Sequence, residues 1–217
     1  MLQSCSSGGS DNNSNSNDNN SNSAVTDIEG NTYQTVTICD QIWTKSNLNV
    51  SHYRNGDLIP HVTDLTQWAN LTTGAWCYYQ NNSANGPIYG KLYNWYAVTD
   101  PRGIAPQGWH VPNRTEVQSL IYCLGGENVA GGKMKSITTL WRTPNLGANN
   151  NSGFTSLPGG FVRSGFSLEG LYAEYWTTSV NGTNSNPVAY TNDYNLTNCY
   201  TYTTNPYAGF SIRCIKD

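Results

Sequence analysis

The chain has 217 residues, a net charge of −3 and only 12% charged residues, which argues against a nucleic-acid footprint. Seven Trp and fifteen Tyr beside 21 Gly and 9 Pro describe a loop-rich, aromatic-rich fold and argue against long amphipathic helices. No run reaches the roughly 18 apolar residues that a membrane-spanning helix needs.

Ser6 to Ser23 contain only Ser, Asn, Gly and Asp, so residues 1–23 are read as a disordered tether and 24–217 as one folded domain. About 190 residues suffice for a single core that buries roughly 70% of the unfolded surface. Leu2-Gln3-Ser4-Cys5 resembles the lipobox of bacterial lipoproteins, which implies lipidation of Cys5. The basic and apolar parts of a signal peptide are not in the sequence, so this reading expects them upstream. A flexible 18-residue spacer has an r.m.s. span of roughly 20–25 Å.

The first predicted element is a hairpin over Thr26–Ile38, with Asp27 and Gly30-Asn31 as turn residues. Gln41-Ile42-Trp43 to Leu48 continues as a short strand. Residues 51–75 are polar and turn-rich. Trp76–Tyr79 reads as a compact aromatic strand, and Leu92–Val98 as a buried short helix or strand. The strongest helix signal begins at Pro112. Asn113 is a plausible N-cap, Glu116 sits at capping-box spacing, and Val117, Leu120, Ile121 and Leu124 recur at helical intervals before Gly125-Gly126. A second, Gly-weakened helix is expected around Val129–Ser136. Leu157–Arg163 and Glu174–Ser179 read as strand pieces, and no internal repeat is present.

Residues 177–207 have an unusual composition. Of these 31 residues, 22 are Asn, Tyr, Thr or Ser, and Asp193 carries the only charge. Tyr offers rigid amphipathic contact area, while Ser, Thr and Asn offer adaptable hydrogen bonds, as in recognition loops. Tyr190, Asn192, Tyr194, Asn195, Tyr200, Tyr202 and Tyr207 are therefore the candidate ligand-binding residues. Even spacing would put Tyr190, Tyr194, Tyr200 and Tyr202 on one face of an extended strand, provided Asn198-Cys199 does not break it.

With Cys5 set aside, Cys39, Cys77, Cys123, Cys199 and Cys214 allow two disulfides and one free thiol. There is no CxxC pair and no His near a Cys in sequence, so zinc is not expected. An exported protein in an oxidising compartment is the simpler reading.

A series of motifs runs through the chain in order: Gly74–Tyr79, Tyr89–Val98, Ala105–Pro112, Ala130–Lys135, Asn151–Phe154, Leu157–Gly160 and Gly209–Cys214. This series resembles the Fibrobacter succinogenes major paralogous domain, from about Asp27 to Asp217. That family looks like a branch of the C-type lectin-like superfamily, related in pattern to the formylglycine-generating group. The resemblance implies an α+β fold of the C-type lectin-like kind, with short twisted antiparallel strands, one or two helices, long loops and neighbouring termini. By the same analogy a helix cysteine bridges to the last strand, giving Cys123–Cys214, with Cys77–Cys214 as the rival and Cys199 as a further candidate.

No GxSxG elbow, HExxH helix or P-loop is present, and the copper-cysteine motif of formylglycine-generating enzymes has no counterpart. His110 is read as a structural residue at a helix entry. No catalytic or metal residue is assigned, and the chain is read as a non-enzyme. Calcium has thin support in Ser185-Asn186-Pro187 and Thr191-Asn192-Asp193, since the ion prefers several carboxylates; no cofactor is assigned. The seven Trp are read mainly as core residues, with one or two exposed.

The expected function is an exported cell-surface or outer-membrane binding module that recognises a protein or glycan through its carboxy-terminal loops. It is expected to touch the membrane only through a lipid anchor. The alternative is a structural subunit of an extracellular fibre or matrix, self-associating through the amino-terminal tail.

Overall fold

The computed structural model describes residues 1, 23–182 and 185–217; Cys5 and the rest of residues 2–22 of the expected 1–23 tether lie outside the described residues. The predicted hairpin is present as β1 (Ala24–Thr26) and β2 (Thr32–Ile38). Asp27 builds its turn by accepting the backbone N–H groups of Glu29 and Asn31 and the Tyr33 hydroxyl. β3 (Gln41–Thr44) returns along β2 and stops short of Leu48. α1 (Leu65–Ala69) starts on an Asp64 cap. The aromatic strand is confined to β4 (Trp76–Cys77), because Tyr79–Asn81 turn into a single helical coil.

Next come α2 (Gly86–Tyr89) and β5 (Leu92–Tyr93), which pairs with β4. α3 (Trp95–Val98) follows at once, so the Leu92–Val98 run is a strand and a helix in succession. Asn94 makes the switch: its side-chain oxygen accepts the N–H groups of both Ala75 and Ala97. After β6 (Trp109–His110), α4 (Arg114–Cys123) carries the predicted capping box on Asn113 and Glu116 and buries Val117, Leu120 and Ile121. α5 (Glu127–Met134) keeps its Gly131-Gly132 pair for a steric reason. A side chain at Gly131 would collide with the Asn198 carbonyl, and one at Gly132 with the Gly147 carbonyl.

The chain then makes β7 (Phe161–Val162), β8 (Phe166–Ser167), β9 (Tyr172–Val180), β10 (Pro187–Asp193), β11 (Cys199–Thr203) and β12 (Ile215–Lys216). One antiparallel sheet has the order β1-β2-β3-β12-β6 and so seats the last strand between the first three and β6; a second has the order β11-β10-β9. The architecture is mixed α+β, with mainly antiparallel strands and short helices.

Two buried cations pin loops to this frame. Arg213 is fully buried and donates to the Asn47 side chain and to the carbonyls of Thr44, Phe154 and Thr155, with its guanidinium over the Phe154 ring. Lys135 is equally buried and donates to the carbonyls of Leu146, Asp193 and Leu196. Burial lowers the Lys135 pKa to about 8, opposed by the nearby Asp193 charge. A buried charge is tolerated only when its donors are satisfied, and here carbonyl dipoles do most of that work. The Lys and Arg of two motifs are thereby explained as loop clamps.

The cysteine expectations need correction. Cys123 is bonded to Cys39, tying the β2–β3 turn to the end of α4, rather than to Cys214 in the last strand. Cys77, Cys199 and Cys214 are free and buried, and burial raises all three thiol pKa values. Cys214 lies in the apolar core beside Arg213, and its backbone N–H and C=O are engaged by Thr44. None of the tryptophans is exposed: Trp95 is half-buried and the other six are buried.

Candidate functional site

The Asn/Tyr/Thr/Ser-rich segment folds mostly into strands rather than loops: β10 and β11, together with the end of β9. In antiparallel pairing, directly opposed residues share a face, and alternate residues take opposite faces. Across β9, β10 and β11 the rows are Trp176–Ala189–Tyr202, Tyr175–Tyr190–Thr201, Glu174–Thr191–Tyr200 and Ala173–Asn192–Cys199, with Tyr172 opposite Asp193. Tyr190 and Asn192 therefore face one way, and Tyr200 and Tyr202 the other. The expectation of one shared tyrosine face is overturned because Tyr190 and Tyr202 lie on neighbouring strands one register row apart.

The inner face joins the core formed by Val117, Leu120 and Ile121 of α4. Tyr190 is 0% exposed and stacks on Tyr175 with ring centroids 4.9 Å apart. Asn192 is fully buried and donates to the Ser156 hydroxyl at 3.0 Å. Both belong to the packed interior, so neither is displayed to a ligand. Tyr194 is half-buried and packs against the same core. Asn195 is exposed at the β10–β11 turn, where its N–H binds the Asp193 carboxylate. Tyr207 is half-buried and sits apart, its carbonyl accepting the Trp68 indole N–H.

The outer face has a different character. Tyr172, Tyr200 and Tyr202 are half-buried, and they surround three buried polar residues, Glu174, Thr191 and Asp193. Ala189 has a small side chain in the central strand, and Tyr202 lies across that strand to donate to Glu174 Oε2 at 2.6 Å. The Thr191 hydroxyl faces the same carboxyl group, and Thr191 is only 2% exposed. Burial raises the Glu174 pKa to about 7, against the opposing influence of Tyr202, Thr191 and Arg163. The Tyr172 hydroxyl lies against the Asp193 carboxylate, which pushes its pKa up to about 12.

An aromatic strip extends the patch. Tyr200 and Tyr202 have ring centroids 6.4 Å apart, Tyr202 and Phe210 6.5 Å, and Phe210 and Phe161 5.9 Å. Arg163 lies over Phe161 at 4.6 Å, and its Nη2 reaches the Thr204 hydroxyl at 3.4 Å. Tyr202 also borders a cleft of about 410 Å³ shared with Arg114, Asn181, Val188, Thr201 and Thr203.

Sequence reasoning missed Tyr172, Glu174, Thr191 and Arg163. The signal was present for Glu174: period-2 alternation groups Tyr172, Glu174 and Trp176 on one face of a strand too apolar to strand a carboxylate without purpose. For calcium, the register separates Asn192 from Asp193 onto opposite faces, so their side chains cannot share one ion. Among the described residues no three His, Cys, Asp or Glu side chains are grouped to hold a metal. His110 sits between Glu116 (2.9 Å) and Asp217 (2.6 Å), joining the α4 capping box to β6 and the chain's last residue.

Residues 36–216 match the Fibrobacter succinogenes major domain family, and the chain belongs to it. No curated protein and no solved structure matches the chain.

Proposed function

We propose that this member of the Fibrobacter succinogenes major domain family is an exported binding module of C-type lectin-like fold. It engages a protein or glycan with the outer face of the β9–β10–β11 sheet. The observation that carries this reading is the outer-face patch itself: three half-buried tyrosines, Tyr172, Tyr200 and Tyr202, around the buried carboxyl groups of Glu174 and Asp193. Tyr-rich surfaces bind at low entropic cost, and Asn195 is exposed at the adjoining β10–β11 turn. The Cys39–Cys123 disulfide supports export, since such bonds persist in oxidising compartments. A lipid on Cys5 and a flexible tether would hold the domain at the cell surface, without catalytic chemistry.

A glycan and protein binding screen, with and without calcium, tests the reading. A ligand lost on Tyr200→Ala/Tyr202→Ala substitution supports it. A ligand retained by that variant contradicts it, as does self-association that requires residues 1–23 and needs no ligand.

A further inference from the structure

We propose that the open edge of β11, with the groove between that edge and α4, takes an extended polypeptide segment as an added strand. This surface is separate from the outer face. The order β11-β10-β9 leaves two edges, and the chain treats them differently. Along β9 it covers its own edge: the carbonyls of Tyr172 and Glu174 accept from Gly160 and Ser211, and the N–H groups of Trp176 and Thr178 donate to Ser211 and Pro112. Along β11 the ladder phase is fixed by Thr204, whose N–H donates to Pro187. Tyr200 and Tyr202 therefore turn their backbone groups toward β10, and Thr201 and Thr203 turn theirs away from the sheet. Among the described residues, those outward N–H and C=O groups bond to nothing. Edges are usually blunted by Lys, Pro or a bulge. Cys199-Tyr200-Thr201-Tyr202-Thr203 has neither charge nor Pro, and its register with β10 is unbroken.

The groove supplies side-chain pockets. Helical spacing puts Arg114, Gln118 and Ile121 on one flank of α4. Glu116 and Cys123 lie on the opposite flank, which is tied to β6 and the β2–β3 turn through His110 and Cys39. The first flank therefore runs beside β11. Arg114 shares the cleft of about 410 Å³ with Thr201 and Thr203, and Gln118, Ile121 and Tyr122 line a second cleft of about 270 Å³ with Gly126 and Glu127. Inward positions of a strand recur about every 7 Å, while Gln118 and Tyr122 lie about 6 and 12 Å along the helix from Arg114. Side chains two residues apart on an added strand thus reach both clefts. Arg114 is exposed and joins none of the ion pairs among the described residues, and no carboxylate lines its cleft. An acidic side chain fits there, and an apolar one fits against Ile121 and Tyr122, which is 84% exposed. A polypeptide main chain, unlike a sugar, repeats donors and acceptors at the spacing the edge presents. In strand addition that main-chain pairing gives affinity, and the pockets give selectivity.

The test selects binders for the full chain from a displayed library of random nine-residue peptides and follows them by amide hydrogen exchange. The expected peptides carry Asp or Glu at one position and an apolar residue two positions away. They slow exchange at Thr201 and Thr203 about tenfold or more. N-methylation of alternate peptide amides abolishes binding in one phase and leaves it in the other, a result on the wild-type chain that needs no variant. Arg114→Glu, at an exposed position, weakens the acidic peptides about tenfold and turns selection toward Lys and Arg. Tyr200→Ala/Tyr202→Ala leaves these peptides bound, so edge ligands and outer-face ligands are told apart by amide protection at Thr201 and Thr203. A selection in which no peptide slows exchange at those two residues overturns the proposal, as does binding indifferent to N-methylation in both phases. A peptide-free dimer with the same two amides protected also overturns it, because a second copy then occupies the edge.

Discussion

The two faces of the β9–β10–β11 sheet are written in nearly the same alphabet and have opposite fates. On the inner face Tyr175, Tyr190 and Asn192 are sealed against α4, and their polar atoms turn to Ser156 or are left dry. On the outer face Tyr172, Tyr200 and Tyr202 keep contact with solvent around Glu174. The residue types do not distinguish a core tyrosine from a displayed one; the strand period and the neighbour packed above do.

Substitutions that treat the faces differently should expose this contrast. Tyr190→Ala should cost about 3–5 kcal/mol in denaturant unfolding, as removal of a buried aromatic ring does. Tyr190→Phe should be neutral or stabilising, because the hydroxyl it removes has no partner. A large loss in the Phe variant would mean that the inner hydroxyl is satisfied after all.

Glu174→Gln should act in the opposite direction. The folded carboxyl titrates at about 7, above the model-compound value of 4.5, so the folded state binds the proton more tightly than the unfolded state. The wild type therefore loses stability as pH rises from about 4.5 to about 7 and carries the full penalty above that. The Gln variant should be more stable by roughly 2–3 kcal/mol near pH 8 and equal to wild type near pH 4. Parallel stability curves for the two proteins across this range would contradict the assignment.

Smaller effects are expected at the surface. Tyr202→Ala should cost about 1–2 kcal/mol, for its ring contacts and the hydrogen bond to Glu174, and Tyr200→Ala less than about 1 kcal/mol. The smallest effect concerns His110, away from the sheet. Burial opposes its charge, but the hydrogen bonds to Asp217 and Glu116 prevail and raise its pKa above 6.5. Its contribution is fully present below pH 6.5 and fades as pH rises through the raised folded value. The melting-temperature gap between wild type and His110→Asn should therefore be wider at pH 5.5 than at pH 9.

Local signals in the chain were legible. The Asp27 turn and the Asn113/Glu116 capping box follow from short-range chemistry and appear as predicted. Long-range pairing was not. Cys39–Cys123 closes a separation of 84 residues, and nothing in the local sequence specifies which distant thiols meet. The same holds for Lys135 and Arg213, whose carbonyl partners come from distant loops. At the candidate site, the tyrosine-rich composition marked the segment, but the expected shared face of Tyr190 with Tyr200 and Tyr202 is not formed, and Tyr190 and Asn192 are buried. The register across β10 and the cover of α4 decide burial there, and both depend on tertiary packing.

The account turns on the outer face being the one that binds. Its most direct test is one binding screen run in parallel on wild type, Tyr190→Phe and Tyr200→Ala/Tyr202→Ala, all verified as folded. The account predicts that the inner-face variant keeps the wild-type ligand and the outer-face variant loses it. Retention of the ligand by the outer-face variant would contradict the account.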